Sequence, residues 1–159
     1  MRSERASGRE IDFRGAVGAM YEKLGDRAVM ALASSLNDHV TVRSVSCIFI
    51  ENRLFFKTDK NFYKTKQLLA NPNTALCVGG VQIEGAAEVR GPVKDEPVFE
   101  ELYKKYWDKS YNAYAHEESE ILVEVTPKFA EIWDQDEDYR GFQTFIDFET
   151  EEAAVRYYD

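Results

Sequence analysis

The chain has 159 residues, 44% of them hydrophobic, 13% aromatic and 31% charged, with a net charge of −9 from 20 basic and 29 acidic side chains. That length and composition suit one globular domain with a core of its own, spanning residues 1–159 and led by a flexible polar segment over 1–10. The acidic balance argues against nucleic acid and against an anionic membrane surface, because both recruit broad basic faces. No apolar run reaches the roughly 18–20 residues of a membrane span, and the lead lacks the apolar stretch of a signal peptide. Cys47 and Cys77 lie in apolar runs and read as buried thiols rather than a disulfide framework. The expected location is cytoplasmic.

Ile11, Ala16, Val17, Met20 and Leu24 fall near helical spacing and Gly25 offers a stop, so residues 11–25 read as an amphipathic helix. Residues 28–36, 40–50 and 54–58 are β-rich and separated by Asn37-Asp38 and Glu51-Asn52, which predicts an antiparallel meander. Asn61 can cap a short helix that Asn71-Pro72 ends. Strands over 74–78 and 81–90 follow, then a helix opened by Asp95 and Pro97. Closing strands are expected at 121–126 and 129–133 around Pro127, and a tail helix from Thr150. The fold class is mainly β: an antiparallel barrel with helices packed outside it.

Arg43 stands mid-strand and shares a face with Val45, Cys47 and Phe49. A guanidinium there either snorkels to the rim, pairs with a carboxylate, or meets an anion, since a buried charge left alone is very costly. Between Lys57 and Lys66 the chain carries Lys57, Lys60, Lys64 and Lys66 against Asp59 alone. This stretch is either a solvated basic face or an anion site built from the free N–H groups of a helix start, Lys64 and the Thr58 hydroxyl. Phosphate is the natural anion, because Arg can grip it through two parallel hydrogen bonds.

Other constellations are poorer. Asp134, Asp136 and Asp138 alternate as in a calcium loop, but Tyr139 and Phe145 occupy the positions that need Gly and Glu. His39 and His116 lack metal-ligand spacing, and no catalytic triad, Walker loop or dinucleotide fingerprint is present. Trp107 and Trp133 read as core or interface anchors.

In order and spacing, Ala28-Val29-Met30-Ala31-Leu32-Ala33-Ser34, Arg43-Ser44-Val45-Ser46, Phe55-Phe56-Lys57-Thr58 with Lys64 and Asn71-Pro72, and Ile83-Glu84-Gly85-Ala86-Ala87 together resemble the pyridoxamine 5′-phosphate oxidase-like family of FMN-binding split barrels. Residues 121–133 are similar more loosely, through Pro127 and Glu131-Ile132-Trp133. The resemblance implies an antiparallel split barrel that forms a homodimer with FMN at the subunit interface. It implies that Arg43 and Lys64 hold the phosphate and that Thr58 donates to it. The backbone from Arg43 through Ser44 and Val45 to Ser46 would run beside the ribityl chain and ring, with Lys57 nearby. Tyr63 stands where the true oxidases carry Arg. After Trp133 comes an acidic run, Asp134-Gln135-Asp136-Glu137-Asp138, where those oxidases grip pyridoxamine phosphate with Arg and His. The chain therefore looks more like the short general-stress-protein-like or nitroimidazole-reductase-like members. The expected function is FMN-dependent oxidoreduction of a small molecule. The alternatives are a protein that binds or senses flavin or haem without turnover, and a cofactor-free interaction domain. No catalytic residue and no metal site is legible.

Overall fold

The structure, a computed structural model, describes residues 4–113 and 118–158. His116 therefore lies outside the described residues. The first helix, α1 (Phe13–Leu24), starts where Asp12 accepts the Gly15 N–H at 2.6 Å and ends at Gly25, whose φ of 75° suits a residue without Cβ. It buries Ala16, Met20, Tyr21 and Leu24, one stripe at helical spacing. Strands β2 (Arg27–Leu36) and β3 (His39–Ile50) are joined by Asn37-Asp38, both at positive φ, and β3 is joined to β4 (Arg53–Asp59) by Glu51-Asn52 in the same conformation. Two-residue turns of this kind match the twist of antiparallel strands, so the predicted meander follows from its turn chemistry.

Helix α2 (Tyr63–Ala70) ends at Asn71, before Pro72. Its start differs from expectation: Phe62 is the capping position, and the Asn61 backbone N–H instead donates to Asp59 Oδ1 at 2.7 Å. Strands β5 (Asn73–Val78) and β6 (Val81–Pro92) form a hairpin, followed by a 3-10 turn at Val93–Asp95 and helices α3 (Pro97–Tyr106) and α4 (Asp108–Ala113).

The two expected closing strands are one, β7 (Glu120–Gln135). Its first half pairs with β4 up to Val125 and its second half with β8 (Gly141–Asp147) from Phe129, so Pro127 sits where the strand changes neighbour on that side. On the other side β7 pairs with β6 along almost its whole length, with an irregularity at Glu84/Gly85. A side chain at Gly85 would come within 2.5 Å of the Thr126 carbonyl oxygen, so this bend requires glycine. The ring β7-β4-β3-β2-β5-β6 closes back on β7 and forms the barrel. Its interior is filled by Met30, Leu32, Val45, Cys47, Leu54, Phe56, Leu76, Ile83, Val123 and Val125, with α1 packed against the same cluster. A second cluster lies outside the barrel, where α3 lays Phe99 and Tyr103 over Ile48, Phe55 and Leu122.

Three strands extend beyond the barrel: β8, β9 (Glu152–Tyr157) and β1 (Arg9–Ile11). The tail helix expected from Thr150 is instead β9. Glu151 takes a positive φ and Asp147 accepts the Glu149 and Thr150 N–H groups, which turns β8 back on itself. Ala153, Ala154 and Val155 are all buried, and a strand covered on both faces lacks the alternation that would distinguish it from a helix. The polar lead is also tied down from Arg5. Arg5 pairs with Glu84 and Glu131 at 2.6 Å each, Ala6 is buried beside Phe129 and Phe145, and Arg9–Ile11 pairs with β9. Among the described residues no helix is long and apolar enough to cross a membrane.

Candidate functional site: a cationic cleft at the split in the barrel

Strand β3 pairs with β2 from His39 to Ile48, but with β4 only from Cys47 to Ile50. Beyond the Cys47–Phe56 pair the two strands part, and β4 continues from Lys57 to Asp59 against β7 alone. Among the described residues, the β4-facing edge of β3 between Val40 and Ser46 therefore has no neighbouring strand. Unpaired backbone groups on such an edge need another hydrogen-bond partner. Helix α2 follows β4 directly and packs against β2, so its inner face looks across this split.

Alternation decides which side chains enter the split. Val45 and Cys47 belong to the barrel interior together with Phe56, which places Arg43 and Thr58 on that same side. Arg43 is half-buried. Its Nη1 donates to Ser34 Oγ at 2.6 Å and to the Leu32 carbonyl at 3.2 Å, and its Nη2 donates to Thr41 Oγ1 and to Gln67 Oε1 at 3.2 Å. All four acceptors are neutral, and among the described residues no carboxylate pairs with this guanidinium. Burial pushes its pKa down, yet an arginine stays charged at any ordinary pH.

Lys64 lies in the first turn of α2, half-buried, its Nζ 5.0 Å from the centre of the Phe62 ring. Its pKa is lowered, first by burial and then by the charge of Arg43. The two cations feel each other across the cleft, and among the described residues no acid relieves either one. Asp59, the single acid of the lysine-rich turn, accepts from Ser119 Oγ at 2.7 Å and from the Asn61 N–H, which hold its carboxyl below the usual range. Thr58 is buried and its hydroxyl has no hydrogen-bond partner among the described residues. Two cations with no carboxylate among the described residues to pair them, and an orphaned hydroxyl on the same side of the sheet, fit an anion with several acceptor oxygens.

The other residues singled out in the sequence lie elsewhere. Lys57 points to the opposite face of β4, where its Nζ meets Glu120 Oε1 at 2.6 Å and sits 4.5 Å from the centre of the Tyr103 ring beneath α3. Its charge is neutralised there, and the structure does not bring it together with Arg43. Ser44 and Ser46 point outward on β3, and Val45 points into the core. Lys60 and Lys66 are exposed. The alternating aspartates form a turn: Asp136 accepts the Asp138 and Arg140 N–H groups and pairs with the Arg140 side chain, while Asp134 pairs with Lys23. Sequence reasoning missed the collar around Arg43, made by Ser34, Thr41 and Gln67. Gln67 is a polar residue on the inward stripe of α2, beside Leu68 and one turn after Lys64, and that placement was its available signal.

No protein-family model matches the sequence, and no curated protein matches it. Solved structures do share its architecture. One is a pyridoxamine 5′-phosphate oxidase-related, FMN-binding protein of Nostoc punctiforme, 12% identical with a TM-score of 0.63 over 94% of this chain and 97% of that one. Another is the General Stress Protein 26 of Bacillus anthracis, 17% identical with a TM-score of 0.56 over 76% and 92%. A third is a NimC/NimA family protein of Clostridium acetobutylicum, 18% identical with a TM-score of 0.54 over 91% and 94%. The chain thus has the split-barrel fold of the pyridoxamine 5′-phosphate oxidase-like, FMN-binding proteins. A fold hosts many functions, so function is argued from the cleft.

Proposed function

We propose that this chain binds FMN, with the phosphate held by Arg43 and Lys64 and the Thr58 hydroxyl donating to it. The observation that carries the reading is the pair of cations sharing one cleft with no carboxylate among the described residues to pair them, in a chain whose net charge is −9. The unpaired edge of β3 from Arg43 to Ser46 supports a ligand lying along it, because its backbone groups are free to meet polar atoms of a ribityl chain and ring. The fold shared with an FMN-binding protein adds to this support.

The reading extends to a homodimer. The outer face of β2 and β3 is covered by α3 at Ile48 but bare further along, where Val29, Val40 and Val42 are 49%, 67% and 67% exposed. Apolar side chains exposed along one sheet face favour a second copy of the chain, which would also close the cleft from outside. We further propose that the protein is an oxidoreductase. Bound flavin would supply the electron-carrying chemistry, and the residues described here bind and orient it and exclude water.

The test is reconstitution. Purified protein titrated with FMN should develop a stoichiometric visible flavin spectrum, and anaerobic NADH or NADPH should bleach it. A chain that takes up no FMN sinks the binding proposal, whereas a bound flavin that no reductant bleaches leaves a binding or sensing protein. Sedimentation should give a dimer; a monomer at all concentrations contradicts the interface.

A further inference from the structure

We infer that Gln67 is the positioning residue of this cleft: its side-chain oxygen gathers Arg43, Ser34 and Thr41, and as a neutral amide it leaves the Arg43 charge for the ligand. The inference rests on the reading of the cleft as a phosphate site. Gln67 is fully buried. Its Oε1 accepts from Ser34 Oγ at 2.8 Å, from Thr41 Oγ1 at 2.9 Å and from Arg43 Nη2 at 3.2 Å. Arg43 offers only donors, so the oxygen of the amide must face it. Ser34 and Thr41 also accept from Arg43, so the three side chains bind both the guanidinium and one another. The collar joins β2, β3 and α2 across the mouth of the split, and Lys64 stands on the same helix one turn earlier.

The other end of the amide identifies what the position is for. Gln67 Nε2 is buried with no hydrogen-bond partner among the described residues. Packing alone would favour an apolar side chain here, because a buried donor without an acceptor is costly. Binding Arg43 as tightly as possible would favour glutamate, through a charge-assisted pair. Glutamine does neither. It fixes the guanidinium through an oxygen while contributing no negative charge, so an incoming phosphate meets a held but uncompensated cation. A carboxylate in its place would neutralise Arg43 and repel the phosphate.

Two variants, Gln67→Glu and Gln67→Met, separate this role from a structural one when each is titrated with FMN and with riboflavin, which lacks the phosphate. The wild type should prefer FMN. Gln67→Glu should lose FMN affinity by about tenfold or more with riboflavin unchanged, since a carboxylate there pairs with Arg43. Gln67→Met keeps the volume and discards the unpartnered amide, which guards against misfolding of the glutamate variant. It should lose a few-fold in FMN only. Parallel losses for both ligands, or FMN affinity unchanged in both variants, overturn the inference while the phosphate site stands. A wild type that binds FMN no better than riboflavin overturns the phosphate site itself, and the inference with it.

Discussion

The two faces of β4 handle positive charge in opposite ways. On the outer face Lys57 is 8% exposed at its side chain and is met by Glu120 under the ring of Tyr103, a closed arrangement that holds α3 and β7 together. On the inner face Arg43 and Lys64 are half-buried, held by neutral oxygens or by none, and each sits where its charge costs free energy. A cation already paired has little left to offer a ligand, whereas an uncompensated pair gains most when an anion arrives. The count of lysines in the Lys57–Lys66 stretch therefore says less about the site than the whereabouts of its acids.

Substitution on the outer face should act mainly on stability. Lys57→Met removes a largely buried ion pair and should cost about 3 kcal/mol of folding stability, read by chemical denaturation, with FMN affinity barely changed. A large loss of FMN affinity instead would put Lys57 in the site. On the inner face Arg43→Ala should weaken FMN by about 1.5–3 kcal/mol, the worth of one hydrogen bond to a charged group, because the Nη donors are already bonded and Nε–H with the positive charge is what remains for a ligand; it should cost stability less than Lys57→Met does. Lys64→Ala should weaken FMN by about 1–2 kcal/mol. It should leave the apo protein as stable or more so, because it removes a cation that opposes both Arg43 and the dipole at the start of α2.

Acidity sharpens the contrast further. The pKa of Lys64 is lowered in the folded protein, so its protonated form is disfavoured by folding. As pH rises from that lowered value towards the ordinary lysine value of about 10.4, the apo protein should gain stability from this group. Over the same rise FMN should bind less tightly, as Lys64 loses its charge. At the acid end FMN affinity should increase as pH passes about 6, where a phosphate monoester takes its second charge. Titrations across this range check both limbs. An FMN affinity indifferent to pH would remove Lys64 from the grip.

Much of the barrel was legible because its turns and stops are local. Asn37-Asp38, Glu51-Asn52 and Asn71-Pro72 each carry their own conformational reason, and they delimit the strands that the structure shows. What lay beyond them was not local. Pro127 reads as a break, yet β7 runs through it by exchanging β4 for β8, a matter of tertiary pairing. Ala153-Ala154-Val155 loses its alternation because both of its faces are covered. In the cleft, Arg43 and Lys64 were visible as charges in unusual places. The collar was not, because Ser34, Thr41 and Gln67 are ordinary residues until three elements bring them together. That Lys57 and Thr58 face opposite sides follows from alternation along the strand; that Glu120 waits on one side and the cleft opens on the other was set by tertiary pairing.

The proposal that Arg43 and Lys64 together hold a phosphate turns on selectivity between two flavins. Its most direct test is the ratio of FMN to riboflavin affinity in the wild type and in Arg43→Ala and Lys64→Ala, at low and at high salt. The wild type should show a preference for FMN that salt weakens, that Arg43→Ala nearly abolishes and that Lys64→Ala reduces. Equal affinity for the two flavins in the wild type, or a preference that survives both substitutions, would contradict it.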